Sequence, residues 1–308
     1  MKKILIISSA NMDFVMDTAR VPVAGETIIE KGSYKYVPGG KGANSAIAVA
    51  RLGGKSVFCT TLGIDANGNA LYELYNKEGI DTSHIVFDGV HPTGLAAIMV
   101  EPNGSNRIIV YPGANLCIYP TQINTALDSA PDALFMQLET STETIVHAAN
   151  ESAKRGVPVF IDAGPANKEF PLEDLPYLEV FSPNESETEI FTGIRPTDDE
   201  SCRLAALELS KRVKAHYYVI KLGGRGCYIT DLTEARTVPT FDGPVVDTTA
   251  AGDSFTAALT LEYLRSGDIF AAARFANAVG TIVVGKAGAA PSIPYAKDVD
   301  EFLARVSE

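Results

Sequence analysis

The chain is expected to fold as an α/β protein, a mainly parallel, doubly wound sheet flanked by helices, with a small antiparallel β-sheet beside it. Three observations predict this. Short apolar runs bounded by turns alternate with longer segments of helical period, the pattern of successive βαβ units. Apolar residues make up 46% and charged residues 21% of the 308 positions, with no biased segment, so the chain can bury a large core and stay ordered nearly throughout. Two β-prone stretches interrupt the alternation, and they supply the smaller sheet.

Taken in order, the first buried strand is Ile4 to Ser8. Met1-Lys2-Lys3 ahead of it mimics the start of a signal peptide, but the apolar run is short and Asp13 interrupts before a cleavage site. Phe14 to Pro38, rich in Thr, Ile, Tyr and Val, reads as an antiparallel ribbon. A helix begins near Gly42, because Ala43, Ala46, Ile47 and Ala50 fall at i, i+3, i+4 and i+7 and form one apolar stripe. Val57 to Thr61 is the next strand. Thr93 to Tyr111 is a second ribbon, folded at the turn Pro102-Asn103-Gly104-Ser105-Asn106. Further strands follow at Ala133 to Leu138, Val157 to Asp162, Glu179 to Ser182 and Tyr217 to Leu222, with helices between them. The two ribbons are either unrelated hairpins or one small sheet lying over the open edge of the core as a lid. On the lid reading, 1–13, 40–92 and 112–308 form the core and 14–39 and 93–111 the lid. There is no internal repeat or linker.

The formal charge of −12 opposes binding to nucleic acid or to an anionic bilayer surface, but it does not exclude ATP, which backbone amides and a metal ion hold locally. No stretch approaches the roughly 18–20 apolar residues of a membrane span. Cys59, Cys117, Cys202 and Cys227 are far apart with no C-x-x-C pair, which suits buried free thiols in a reducing cytoplasm. His84, His91, His147 and His216 show no metal-ligand spacing and read as structural.

The strongest chemical signal is Asp247-Thr248-Thr249-Ala250-Ala251-Gly252-Asp253-Ser254-Phe255, small residues leading straight into a helix. Ala250, Ala251 and Gly252 leave the backbone uncovered, so unpaired N–H groups at the helix start can face phosphate oxygens. Asp253 in the first turn then stands where a carboxylate can take the proton of an attacking hydroxyl. Alone, it is equally a residue that complements the helix dipole. Pro38-Gly39-Gly40-Lys41-Gly42-Ala43-Asn44 permits close backbone approach at a second helix start, with Lys41 and Asn44 as donors for sugar hydroxyls, or is simply a tight turn. Neither string is a P-loop, and no G-x-G-x-x-G follows the first strand, which argues against a dinucleotide-dependent oxidoreductase. Asn11 and Asp13 lie beyond the carboxyl end of the first strand, where open α/β sheets place ligands, and Glu139 ends its strand in the same way. Asn184 and Glu187 of Asn184-Glu185-Ser186-Glu187 are a helix cap or hold waters around Mg²⁺. Gly223-Gly224-Arg225-Gly226 is a tight turn able to border a nucleotide.

With N-x-D, G-G-K-G-A-N, N-E-x-E, L-G-x-x-G and D-T-T-A-A-G-D in this order, the chain resembles the ribokinase-like members of the PfkB-type carbohydrate kinase family over essentially its whole length. The resemblance implies a core of about nine strands with a β lid that often serves as a dimer clasp, so a homodimer is expected. It implies transfer of the ATP γ-phosphoryl group to a sugar primary hydroxyl, D-ribose being favoured over 2-deoxyribose, fructose or a nucleoside. A catalytically silent sugar-binding protein of the same fold is the alternative. By similarity, Asn11, Asp13, Gly40, Lys41, Asn44 and Glu139 grip the sugar, Asp253 takes the proton and Gly252 closes the anion hole. Asn184, Lys221, Gly223, Gly226 and Asn277 line the ATP site, with Glu187 holding hydrated Mg²⁺. A monovalent cation, usually K⁺, is expected near Asp247, Thr249, Val283, Lys286, Gly288 and Ser292, several of them acting through backbone carbonyls. Two positions depart from the family pattern. Ser45 stands where Gln usually follows G-K-G-A-N, beside the sugar site, and Lys221 where Thr is common, where a backbone contact would tolerate it.

Overall fold

The computed structural model describes residues 1–103 and 105–306, so Gly104 of the expected turn lies outside the described residues. The chain opens with β1 (Lys3–Ile7) and moves at once to a second sheet through β2 (Asn11–Asp17) and β3 (Tyr34–Gly39). It returns through α1 (Lys41–Arg51), β4 (Lys55–Gly63), α2 (Ala66–Lys77) and β5 (Asp81–Asp88), then visits the second sheet again as β6 (Gly94–Val100) and β7 (Asn106–Tyr111). The remainder runs α3 (Pro120–Leu127), β8 (Ala133–Gln137), α4 (Thr142–Lys154), β9 (Val159–Asp162), β10 (Leu178–Ser182), α5 (Glu185–Thr192) and α6 (Asp199–Arg212). It closes with β11 (Ala215–Lys221), β12 (Cys227–Thr230), β13 (Ala235–Val238), α7 (Ala251–Ser266), α8 (Ile269–Val284) and α9 (Ala296–Arg305).

The main sheet has nine strands in the order β13-β12-β11-β10-β9-β8-β1-β4-β5, parallel except for the antiparallel β11-β12-β13 meander. Successive residues of β1 divide between two cores. Ile4 and Ile6 pack with α1, α2, α7, α8 and α9 on one face, and Leu5 and Ile7 with α3, α4, α5 and α6 on the other. All four are fully buried, and each such side chain contributes about 1.5–3 kcal/mol relative to an exposed one. This explains why the strand reads as an unbroken apolar run instead of an alternating one. Strand order reverses at β1, between β4 and β8, and a crevice opens there beyond the carboxyl ends of the strands.

The two ribbons pair into one small sheet, β3-β2-β6-β7. β2–β3 and β6–β7 are antiparallel, while β2 and β6 join them in parallel register from Asn11↔Gly94 to Asp17↔Val100. This sheet starts at Asn11, not at Phe14, so Asn11 and Asp13 are strand residues of the smaller sheet. Its side chains obey the two-residue period. Asp13, Val15, Lys35, Val37, Ala96, Ile98, Ile108 and Val110 face a cavity shared with the main sheet. On its other side, Tyr34 and Tyr36 flank Phe14 with ring centroids 5.6 and 5.0 Å away. The small sheet therefore stands over the crevice, not along an outer strand. The helix expected near Gly42 is α1, and its residues from Gly42 to Val49 are buried on every side, not along a single stripe.

Candidate active site

The cavity under the small sheet encloses about 1260 Å³ and gathers most of the expected site residues. Gly40 shapes its floor. Its φ is 89°, and a Cβ there would lie 2.8 Å from the Asn11 backbone nitrogen, so only glycine lets α1 start so close to β2. The turn delivers the Lys41 N–H to Glu139 Oε2 at 3.0 Å, and the same carboxylate accepts from Ser9 Oγ. Asn11 is aimed by a residue the sequence did not single out. Buried Asn115 accepts the Ala10 N–H at 2.8 Å and donates to Asn11 Oδ1 at 2.7 Å.

Across the cavity, α7 begins at Ala250, which takes the left-handed conformation with φ 63°. The Ala251 N–H reaches Thr248 O at 3.3 Å, whereas those of Gly252 and Asp253 have no acceptor among the described residues. Ala250, Ala251, Gly252 and Asp253 all line the cavity. The Asp253 carboxylate receives Asn44 Nδ2 at 2.9 Å on Oδ2 and faces Lys41 Nζ at 3.5 Å from Oδ1. Two strings separated by about 200 residues thus converge on one carboxylate.

Ser45 is not in the cavity wall. Its hydroxyl donates to Lys41 O at 2.9 Å, approaches Asp253 O at 3.3 Å and receives Gln137 Nε2 at 2.7 Å. The side chain at this position therefore lies behind the site, tied to α1, α7 and β8.

Acidic groups outnumber basic ones in the cavity wall, and Lys41 and Lys221 are the lysines nearest the start of α7. Asp253 chiefly raises the affinity of Lys41 for its proton, burial opposing and Asp162, Glu139 and Glu187 adding to the increase, so Lys41 stays cationic. Burial, and then the neighbouring Glu139, push the Asp13 carboxyl up to about 7. Lys221 does more than lend its backbone. Its Nζ pairs with Asp162 Oδ1 at 2.6 Å, and a Cβ on Gly252 would stand 3.8 Å from that nitrogen, so the ammonium lies beside the start of α7. Asp162 also accepts Thr256 Oγ1 at 2.6 Å.

Asn184 caps α5 reciprocally with Glu187. The Glu187 N–H donates to Asn184 Oδ1 at 2.9 Å and the Asn184 N–H to Glu187 Oε2 at 2.7 Å, a capping box within the cavity wall. Burial raises the Glu187 carboxyl against the opposing charge of Lys221, with Asp162 adding to the rise. Gly223 to Arg225 form a short turn closed by Gly226 between β11 and β12, and Gly223, Gly224 and Gly226 border the cavity. Asn277 donates to the carbonyls of Val238 and Pro239 at 3.0 and 3.1 Å, which anchors the loop after β13 along the same wall.

Asp247 Oδ1 accepts from the Thr249 backbone at 2.9 Å and its hydroxyl at 2.6 Å, and Oδ2 from Gly288 N at 2.8 Å. Partial burial alone would raise this carboxyl, but those bonds and the charge of Lys35 hold it below the usual range. Asp247, Thr249 and Gly288 line the cavity. Val283 and Ser292 are buried behind it, and Lys286 is exposed.

A carboxylate at a helix N-terminus, free backbone donors beside it and a deep cleft lined by several carboxylates suit phosphoryl transfer to a hydroxyl compound. The chain belongs to the pfkB family of carbohydrate kinases, whose model matches residues 1–296. It is 34% identical over 307 residues to the ribokinase of Haemophilus influenzae, with 98% of each chain covered. It is 31% identical over 302 residues to the deoxyribokinase of Salmonella typhi, covering 97% of this chain and 98% of that protein. The solved structure of Arabidopsis thaliana ribokinase complexed with ribose and ATP superposes with a TM-score of 0.89 at 29% identity, covering 98% of this chain and 99% of that one.

Proposed function

We propose that the protein transfers the γ-phosphoryl group of ATP to O5 of D-ribose, giving D-ribose 5-phosphate and ADP. The observation that carries this reading is the Asp253 carboxylate, held by Asn44 and Lys41 at the free N-terminus of α7 inside the cavity. Asp253 accepts the O5 proton as the O5–P bond forms and the bond from phosphorus to the β-phosphate oxygen breaks, with ADP as the leaving group. The anion hole expected at Ala250 to Gly252 is centred on the free N–H groups of Gly252 and Asp253, since that of Ala251 is turned to Thr248, and with the ammonium groups of Lys41 and Lys221 these offset charge gathering on the phosphoryl oxygens. Asn11, Asp13, Gly40, Lys41, Asn44 and Glu139 orient the sugar, and Asn184, Lys221, Gly223, Gly226, Gly252 and Asn277 receive the nucleotide. The ribokinase relatives support ribose, and Ser45, which does not line the cavity, does not count against it.

A magnesium ion fits beside Glu187, a carboxylate whose burial outweighs the charge of Lys221, and when bound it would neutralise phosphate charge through its water shell. A monovalent cation such as K⁺ fits the oxygen donors of 247–249 and of 283–292, the end of α8 and the segment after it. There the Asp247 carboxylate stays ionised and Thr249, Val283, Lys286, Gly288 and Ser292 offer carbonyls or a hydroxyl. The small sheet acts as a lid on the core, with 14–39 and 93–111 as its moving part. Its outer face, where Tyr36, Ile109 and Tyr111 are exposed, forms a homodimer contact in the cytoplasm. Release of ADP from MgATP and K⁺ is to be measured against D-ribose, 2-deoxy-D-ribose, D-fructose and a nucleoside. Preference for ribose supports the proposal, preference for another sugar overturns the ribose assignment, and no turnover with any of them overturns it in favour of another acceptor or of a catalytically silent sugar-binding protein.

A further inference from the structure

A second cluster lies away from this cavity, where the chain crosses between the two sheets. Asp88 ends β5 just before the chain leaves the main sheet, and His91 lies on the connection to β6. Cys117 follows a short helical turn, Gly113–Leu116, after β7 brings the chain back. His91 Nδ1 is 2.9 Å from Asp88 Oδ2 and 3.3 Å from Cys117 Sγ, and the ligand atoms of all three lie within 4.8 Å of one another. Among the described residues this is the one such trio.

Both neighbours converge on the same imidazole nitrogen, which distinguishes the cluster from a Cys-His-Asp relay in which opposite ring nitrogens serve the two partners. Nδ1 carries at most one proton. Donated to Asp88, that proton leaves the thiol with the Asp88 carboxylate and the Tyr119 hydroxyl as its remaining partners, and once removed, it leaves a lone pair facing a carboxylate. A cation at the common focus satisfies carboxylate, imidazole and thiolate together. Zinc bonds of about 2.0–2.3 Å place tetrahedral ligand atoms about 3.3–3.7 Å apart, so the trio needs only small rotamer adjustments.

The scaffold fixes each ligand through groups that the ion does not need. Asp88 Oδ1 accepts the N–H of Val90 at 2.6 Å and of His91 at 3.2 Å, which leaves Oδ2 directed at the focus. The Asp88 carbonyl accepts Ile64 N at 3.0 Å, and the Cys117 carbonyl accepts Thr61 Oγ1 at 3.0 Å. Nearby Asp65 is already committed to Gly68 and Thr93. A cavity of about 260 Å³ lined by Ile64, Asp88, Val90 and His91, though not by Cys117, gives solvent access to the Asp88 and His91 side of the cluster. Cys117 is buried, while His91 is half exposed at the mouth.

We infer that Asp88, His91 and Cys117 form a site for a divalent, borderline-soft transition metal ion, Zn²⁺ in the first instance, that pins the departing and returning limbs of the β6–β7 arm to each other. Binding displaces the Cys117 thiol proton to solvent and forms the metal–sulfur bond with no change of oxidation state. The histidine that spacing alone marks as structural becomes a ligand because Cys117, 26 residues away, is folded onto it.

The test uses the full chain, stripped with a chelator and free of nucleotide, titrated with Co²⁺. The expected result is a thiolate-to-cobalt charge-transfer band saturating at one equivalent and bleached by Zn²⁺. It should be absent from Cys117→Ser, and Asp88→Asn should weaken binding by roughly tenfold or more. No such band in the wild type, or the same band in Cys117→Ser, overturns the inference. Should Cys117→Ser fail to fold, exposed His91→Ala decides: loss of the band supports the site and an unchanged titration refutes it.

Discussion

Replacing Asp253 by Asn removes the proposed base and little else. The amide keeps the shape of the carboxylate and one oxygen to accept Asn44 Nδ2, which sits 2.9 Å away in the wild type. The Coulomb attraction lost is that to Lys41 Nζ, 3.5 Å away, about 5 kcal/mol at an effective dielectric of 20. Releasing a buried carboxylate from its desolvation cost offsets much of this, so the variant should fold. A sugar hydroxyl exchanges a charged acceptor for a neutral one, which costs about 1 kcal/mol, or about fivefold in ribose affinity. Loss of a general base costs about 10² to 10⁴ in rate, equivalent to about 3–5 kcal/mol on the barrier. Asp253→Asn should therefore lower kcat at least a hundredfold while ribose binding, followed by calorimetry, weakens only several-fold. A kcat within tenfold of wild type, with the fold intact by thermal melting, would refute the assignment.

Asp13 links pH to stability. Its carboxyl is raised to about 7 from an ordinary value of 3.8, so the native state holds the proton between these values while the unfolded chain has lost it. Stability from this group falls as pH rises from 4 to 7, and Asp13→Asn should be more stable than wild type by about 1–2 kcal/mol at pH 8 in thermal melts, less at pH 5, while its ribose KM rises. Lys221→Thr strands the buried Asp162 charge and should cost about 3–5 kcal/mol in denaturant unfolding. Adding Asp162→Asn should restore stability but leave the ATP KM raised, which a purely structural ion pair would not do. Asn115→Ala removes two buried hydrogen bonds and should raise the sugar KM about tenfold, the equivalent of about 1.4 kcal/mol, with the ATP KM unchanged in the same steady-state assays.

The features legible in the sequence are those written locally. The apolar runs of β1, β4, β8, β9, β10 and β11 are buried on both faces, so each is visible as a run. The helix starts at Lys41 and Ala251 are announced by their small residues. β5 is half-buried and exposed along its length because it ends the sheet, so it carries no such signal, and the short β12 and β13 carry little more. The ribbons were readable as ribbons, but their union through parallel β2–β6 pairing was not. That pairing joins Asn11 to Gly94 across a gap in which several other elements form. The same limit hid the supporting side chains. Asn115 serves Asn11 from 104 residues away, Gln137 reaches Ser45 across 92, and Asp162 meets Lys221 across 59. Each is an ordinary polar residue until the fold supplies its partner.

The reaction itself is tested most directly by the product. Wild-type protein given D-ribose and MgATP labelled at the γ-phosphorus should yield, by phosphorus NMR, ADP and one labelled phosphomonoester on O5 of ribose, with no labelled inorganic phosphate. Label appearing only as inorganic phosphate, or as an ester on a ring hydroxyl, would contradict the account.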